Sequence, residues 1–357
     1  MQRRSITFTL ALPLALMLFS GAALAQFQLT NLDSNQVGQA KQDDPLLVNG
    51  WGLVHGPGTP WWVSDNNSGW STLYDNTGKI EALRVVIPTT GDGPNLPTGL
   101  NGPGSPTGIV FNATSEKGGA QEFQVDGWSS VFLFATLDGT ISGWTPLSNK
   151  NEAIIAVDNG ADGAMYTGLA ITNRASGNLL FAADMAHNKV DVYDKDFALV
   201  HTFTDASLPA GFAAFGIQDI DGFVYVTFAA TSGGPGGFVD KFTEAGKLVG
   251  GKSLIKAAPL NQPWGIAVAP ANFGPLSNTL LISNNVNQGT INAFDRTTGA
   301  FVGSVKDAKG KNIVIDQLWG ISFGDGLGSN GAKNQLFFAA GPANNLAGTF
   351  GVISELP

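Results

Sequence analysis

The chain has 357 residues, 28 acidic against 19 basic side chains, a net charge of −9 and no cysteine. The acidic balance excludes a nucleic-acid binder, which needs a basic face, and the missing cysteines exclude thiol catalysis, iron–sulfur clusters and cysteine zinc sites. Charged residues make up only 13% of the chain against 47 glycines and 18 prolines, which points to short strands joined by tight turns rather than amphipathic helices.

Met1 to Ala25 reads as a secretory leader. Arg3 and Arg4 form the basic start, Ile6 to Phe19 the apolar stretch, and Ala23-Leu24-Ala25 a small-x-small cleavage site before Gln26. The Arg-Arg pair is compatible with the general or the twin-arginine route. With both arginines removed the charge of −9 becomes −11. No later apolar run reaches the roughly 18 residues that span a bilayer, so the mature chain is expected to be exported to the periplasm or beyond, without a membrane span.

Phe27-Gln28-Leu29-Thr30 is an alternating strand with no partner nearby in sequence. After it, one short phrase recurs six times: Trp51-Gly52-Leu53, Thr107-Gly108-Ile109, Thr167-Gly168-Leu169, Phe215-Gly216-Ile217, Trp264-Gly265-Ile266 and Trp319-Gly320-Ile321. The glycines are spaced by 56, 60, 48, 49 and 55 residues, close to the period of propeller blades, roughly 40–50. Each phrase is followed by a second apolar run, such as Leu179 to Ala182 or Leu280 to Ser283, and then by an alternating third strand, clearest in Val190 to Asp194 and Thr290 to Asp295. A fourth strand follows in five units: Leu83 to Ile87, Ala153 to Val157, Val200 to Thr204, Leu248 to Leu254 and Phe301 to Val305. The sixth unit stops after Phe350 to Ile353. The expected fold is therefore an all-β, six-bladed β-propeller over 26–357, closed by the N-terminal strand, which completes the last blade and removes the open edge. Each repeated glycine is expected where innermost strands crowd and a Cβ would clash.

The six Gly-Ile/Leu strands, the strand ends Ser64-Asp65 and Ala183-Asp184, and the phrases Val190-Asp191-Val192-Tyr193 and Phe238-Val239-Asp240-Lys241-Phe242 resemble NHL-type and related six-bladed propellers. Thr140 to Trp144, Leu208 to Phe212, Pro263 to Gly274 and Gly289 to Asp295 are similar to a family of exported bacterial proteins of unassigned function. Some of its members end in a Pro-Glu-Pro sorting segment with a membrane helix. Glu355-Leu356-Pro357 carries no such segment, so surface anchoring is not carried over. The resemblance implies fold and export and brings no activity.

Two motif matches fail on context. Gly246-Lys247-Leu248-Val249-Gly250-Gly251-Lys252-Ser253 satisfies the phosphate-loop pattern, but it lies at a strand-to-strand turn, and Pro259 and Pro263 leave little room for the helix that phosphate binding requires. Asp158 to Gly163 has the opening of a calcium loop but Leu169 where a bidentate Glu is needed, and reads as a turn. His55, His187 and His201 are scattered, with blades able to bring the first two towards one face.

In a propeller the start of each inner strand and the loop after each second strand share one face. That places Trp51, Thr107, Thr167, Phe215, Trp264 and Trp319 in a ring at the channel mouth, with Asp65, Asn66, Thr136, Asp138, Asp184, His187, Asn188, Asn284, Asn285 and Asn344 nearby. Aromatic rings beside Asp and Asn side chains suit a small polar ligand or a protein partner. The principal expectation is a monomeric binding propeller with no cofactor. The alternative is a lactonase- or esterase-like hydrolase holding one divalent cation such as calcium through Asp65, Asp184 and Asn284. Convergence of oxygens from Asp65, Asp138, Asp184, Asn284 and Asn344 on one point would favour the hydrolase. Turn capping by those side chains would favour the binding module.

Overall fold

A computed structural model describes residues 27–90, 103–116, 119–256 and 258–356. The expected leader, Met1 to Ala25, lies outside them. Six antiparallel sheets follow one another around a ring, each running from an inner to an outer strand. The inner strands are Gly50–Val54, Pro106–Phe111, Tyr166–Ile171, Phe212–Ile220, Pro263–Val268 and Leu318–Phe323. They neighbour each other in cyclic order, the sixth against the first. The protein is a six-bladed β-propeller.

The ring closes as the sequence implies. In blade 6 the inner strand, Leu336–Ala340 and Thr349–Glu355 come from the C-terminal end, and Phe27–Ser34 completes the blade. The N-terminal strand pairs antiparallel with the last strand, from Phe27 opposite Glu355 to Ser34 opposite Thr349. A fifth strand, Gln42–Asp43, runs parallel along its outer edge, which the sequence did not signal. Two further expectations need correction. The fourth strand of blade 4 is Ile255–Lys256 rather than Leu248 to Leu254, because Gly250 and Gly251 take left-handed φ values that break an extended run. Blade 2 carries an unforeseen hairpin, Gln124–Val125 with Trp128–Ser129, between its first two strands.

The six glycines do for packing what the repeat implied. A Cβ at Gly52, Gly108, Gly168, Gly216, Gly265 or Gly320 would come within 3 Å of backbone atoms in the next blade's inner strand, Gly320 closing the circle against the Trp51 carbonyl. Hydroxyls reinforce the same seams. Thr107 Oγ1 donates to the Tyr166 carbonyl at 2.6 Å, Thr167 Oγ1 to the Phe215 carbonyl at 2.8 Å and Ser283 Oγ to the Trp319 carbonyl at 2.7 Å. Between the blades lie separate apolar cores, such as that of Trp62, Phe132 and Trp144 between blades 1 and 2.

Candidate functional site

The front face, where inner strands begin, holds the residues singled out in the sequence. The six that precede the glycines share one level, but they do not line an open mouth. Trp51, Phe215, Trp264 and Trp319 are all buried and form one cluster. Trp51 stacks on Trp319 with centroids 3.6 Å apart, and Trp264 meets both edge-on at 6.3 and 5.9 Å. Large side chains from four blades thus fill the channel, while Thr107 and Thr167 turn their hydroxyls into the seams. Trp264 reaches across the ring, Nε1 donating to the Thr167 carbonyl at 2.9 Å, and Trp319 Nε1 donates to Asn49 Oδ1 at 2.9 Å. Trp51 Nε1 is buried without a partner. Leu137 and Met185, half-buried, pack against this plug.

The acidic and amide side chains around the plug are turn devices. Asp138 accepts from the Ser105 amide at 2.6 Å, Asp184 from the Met165 amide at 3.1 Å and Asn284 from the Asn261 amide at 3.0 Å, each clamping the approach to its own blade's inner strand. Asp65 accepts from the Thr72 amide and hydroxyl at 3.1 and 2.8 Å. Burial pushes the Asp65 carboxyl well above its ordinary range, the Thr72 hydrogen bonds opposing, and burial also raises that of Asp138. Thr136 accepts from the Thr140 amide across its own turn at 3.1 Å. Asn66 and Asn285 donate to the carbonyls of Pro106 and Leu318, and Asn188 accepts from the Ala214 amide of the next blade. Among the described residues no three His, Asp or Glu side chains stand together as cation ligands require. Asp65, Asp184 and Asn284 come from blades 1, 3 and 5, and each accepts a hydrogen bond within its own blade.

His187 is exposed on the front face. Its Nδ1 donates to buried Asp184 at 2.7 Å, and Lys189 lies beyond, 3.8 Å from the same carboxylate and 2.8 Å from Asp191. His55 is elsewhere. It sits just past the rear end of blade 1's inner strand, with Nε2 3.0 Å from the Phe323 carbonyl of blade 6, so blades do not bring His55 and His187 to one face. Asn344 is exposed in a front-face loop where Ala343, Asn344 and Asn345 are consecutively left-handed, at φ 57°, 55° and 65°. The loop is tied down by the Asn67 side-chain amide donating to the Asn345 carbonyl at 2.6 Å. It presents Leu346, 73% exposed. Both motif matches resolve as turns. Gly246 is left-handed in a hairpin, with only a three-residue helical turn after it, and the Gly160 amide donates to Asp158.

Behind the plug the channel changes character. A chamber of about 40 Å³ lies among the glycines and the aliphatic residues that follow them. It leads to a cup of about 360 Å³ on the rear face. The last residue of every inner strand lines this cup: Val54, Phe111, Ile171, Ile220, Val268 and Phe323. The sequence reading missed it, attending to the residue before each glycine. The available signal was an apolar residue two to four positions after each glycine.

No established family profile matches the chain. Two uncharacterised proteins of Acanthamoeba polyphaga mimivirus are similar to it. One is 26% identical over 352 residues, covering 93% of this chain and 81% of its own length; the other is 28% identical over 317 residues, covering 84% and 79%. Among solved structures, virginiamycin B lyase from Staphylococcus aureus superposes with a TM-score of 0.54 at 13% identity, covering 93% of this chain and 100% of the lyase. A gluconolactonase from Xanthomonas campestris gives 0.52 at 12%, covering 87% and 89%. A Bacteroides thetaiotaomicron protein of unknown function gives 0.55 at 11%, covering 92% and 76%. At these identities the likeness is one of fold, the β-propeller.

Proposed function

We propose that the protein is an exported, monomeric binding propeller, which engages a polar ligand or a protein partner across its front face and carries no metal-dependent chemistry there. One observation carries this reading: Asp65, Asp138, Asp184 and Asn284 each accept a backbone amide within their own blade, Asp184 also holding the His187 ring and Asp65 keeping one oxygen unpartnered, and the mouth they surround is filled by aromatic rings. A filled mouth offers a platform rather than a pocket. On that platform Leu346, His187 and Asn344 stand out around the half-buried Leu137 and Met185. Holding three consecutive residues left-handed costs about 1–2 kcal/mol for each that is neither glycine nor asparagine, and such outliers gather where a surface is held ready for a ligand. The hydrolase alternative is not favoured, since the lyase and lactonase likeness reaches only the fold.

The test is elemental analysis of purified 26–357 after dialysis against trace calcium, with melting curves taken with and without chelator. No stoichiometric ion and an unchanged melt are expected. One divalent ion per chain with a chelator-sensitive melt would overturn the reading in favour of the hydrolase. Peptide and glycan arrays probed with wild type and with Leu346→Asp then locate the binding face, and the variant is expected to lose wild-type signals.

A further inference from the structure

We infer that the rear cup is a second binding site, built for a compact, uncharged molecule that joins an apolar body to hydrogen-bonding groups. Four features support the assignment. The cup is blind, because the tryptophan plug closes the channel above it. Its volume of about 360 Å³ falls within the roughly 300–1,000 Å³ of small-molecule pockets. Its wall is sixfold: Val54, Phe111, Ile171, Ile220, Val268 and Phe323 are each half-buried, one face packed into the core between blades and the other turned to the cup. Such walls are set by the blades themselves and need no rearrangement to receive a ligand.

The fourth feature is polarity. Among the described residues no charged side chain lines the cup; Gln218 and Ser322 supply side-chain polar groups, and backbone groups make the rest of a lining that exposes somewhat more polar than apolar surface. A charged ligand would lose its hydration there without compensation. An apolar body gains by displacing water from the six-membered wall, and Gln218, exposed on blade 4, meets a single hydroxyl or amine. The site is at the opposite end of the channel from the proposed front platform, so either assignment can fail without the other.

The experiment is a fluorescence titration of the full mature chain with N-phenyl-1-naphthylamine, an uncharged apolar probe with one N–H, followed by displacement with naphthalene and 2-naphthol. Saturable binding of one probe per chain is expected, with 2-naphthol preferred over naphthalene by roughly threefold to tenfold, the worth of one hydrogen bond. Gln218→Trp, at an exposed position, fills the cup and is expected to weaken the probe at least tenfold with the melting temperature retained. Gln218→Leu keeps the probe but erases the preference for naphthol. Ser322→Leu serves as an independent filling variant if Gln218→Trp melts early. Unsaturable binding, or full affinity in a folded filling variant, overturns the site.

Discussion

At the scale of single residues, the repeated glycine was the most legible signal, because its constraint is local and identical in every blade. The Gly265 Cβ position is crowded by the Trp319 carbonyl and by Ser283 Oγ. Gly265→Ala is expected to destabilise by about 1–3 kcal/mol, the usual cost of overpacking, read as a shifted urea midpoint with unchanged slope. The residue before the glycine was legible in position but not in role. Nothing in the letters Trp51, Trp264 and Trp319 says whether an indole lines a hole or fills it; that depends on the channel radius and on two facing blades contributing only threonine. Trp264→Ala is expected to cost about 3–5 kcal/mol as a cavity-forming change, far more than loss of a surface aromatic. Asn344 tests the strained loop. Being exposed, Asn344→Val disturbs no packing yet puts a β-branched residue at φ 55°, and should cost about 1–2 kcal/mol in the same unfolding assay.

At the scale of elements, the closing strand was predictable because an orphan strand at one end matched a missing strand at the other. Its buried charge was not. Asp33 lies on that strand, fully buried, with neither carboxylate oxygen partnered. Burial first, and then the Asp44 and Asp75 charges, push its carboxyl up to about 8. Asp240, on the third strand of blade 4, is pushed up to about 7 by burial and by its carboxyl neighbour Asp205, against a Ser253 hydrogen bond. A carboxyl whose folded pKa is raised keeps its proton in the native state after the unfolded chain has lost it, so folding is weakened as pH rises between the two values. Stability is therefore expected to fall from about pH 4 to about pH 8. The lowered carboxyls, Asp75, Asp295, Asp307 and Asp325, act below that window. Melting Asp33→Asn and Asp240→Asn across this range should show a flatter profile than wild type, and a parallel profile would show that neither carboxyl is the source. The acids were invisible in the sequence because alternating strands place Asp on either side, and only the neighbouring blade decides which side is buried.

At the scale of the whole molecule, the channel has two unlike ends, and the sequence described one of them. Repeats reveal what every blade does alike, such as glycine crowding. They hide what is assembled by only some blades, such as the plug from blades 1, 4, 5 and 6, or what arises just beyond the repeated phrase, such as the rear cup. The same limit applied to the polar ring. Asp and Asn recur at the ends of second strands, which suggested convergence on a ligand, yet Asp65, Asp138, Asp184 and Asn284 clamp their own blades while Asn66, Asn188 and Asn285 tie each blade to the next. A chain lacking residues 1–34 is expected to leave blade 6 with an open edge and to associate or melt early. A peptide spanning 27–36, added in trans, should restore the melt if closure alone is what the strand supplies.

The pairing of Phe27 with Glu355 also orders events in time. The closing strand lies about 300 residues before its partner in the chain, so the ring cannot close until residues 349–355 have been made. Until then the strand Phe27–Ser34 waits without its ladder partner, and blade 6 stays incomplete. A ring built this way has an interval during synthesis in which five blades can pack while the sixth still lacks its edge.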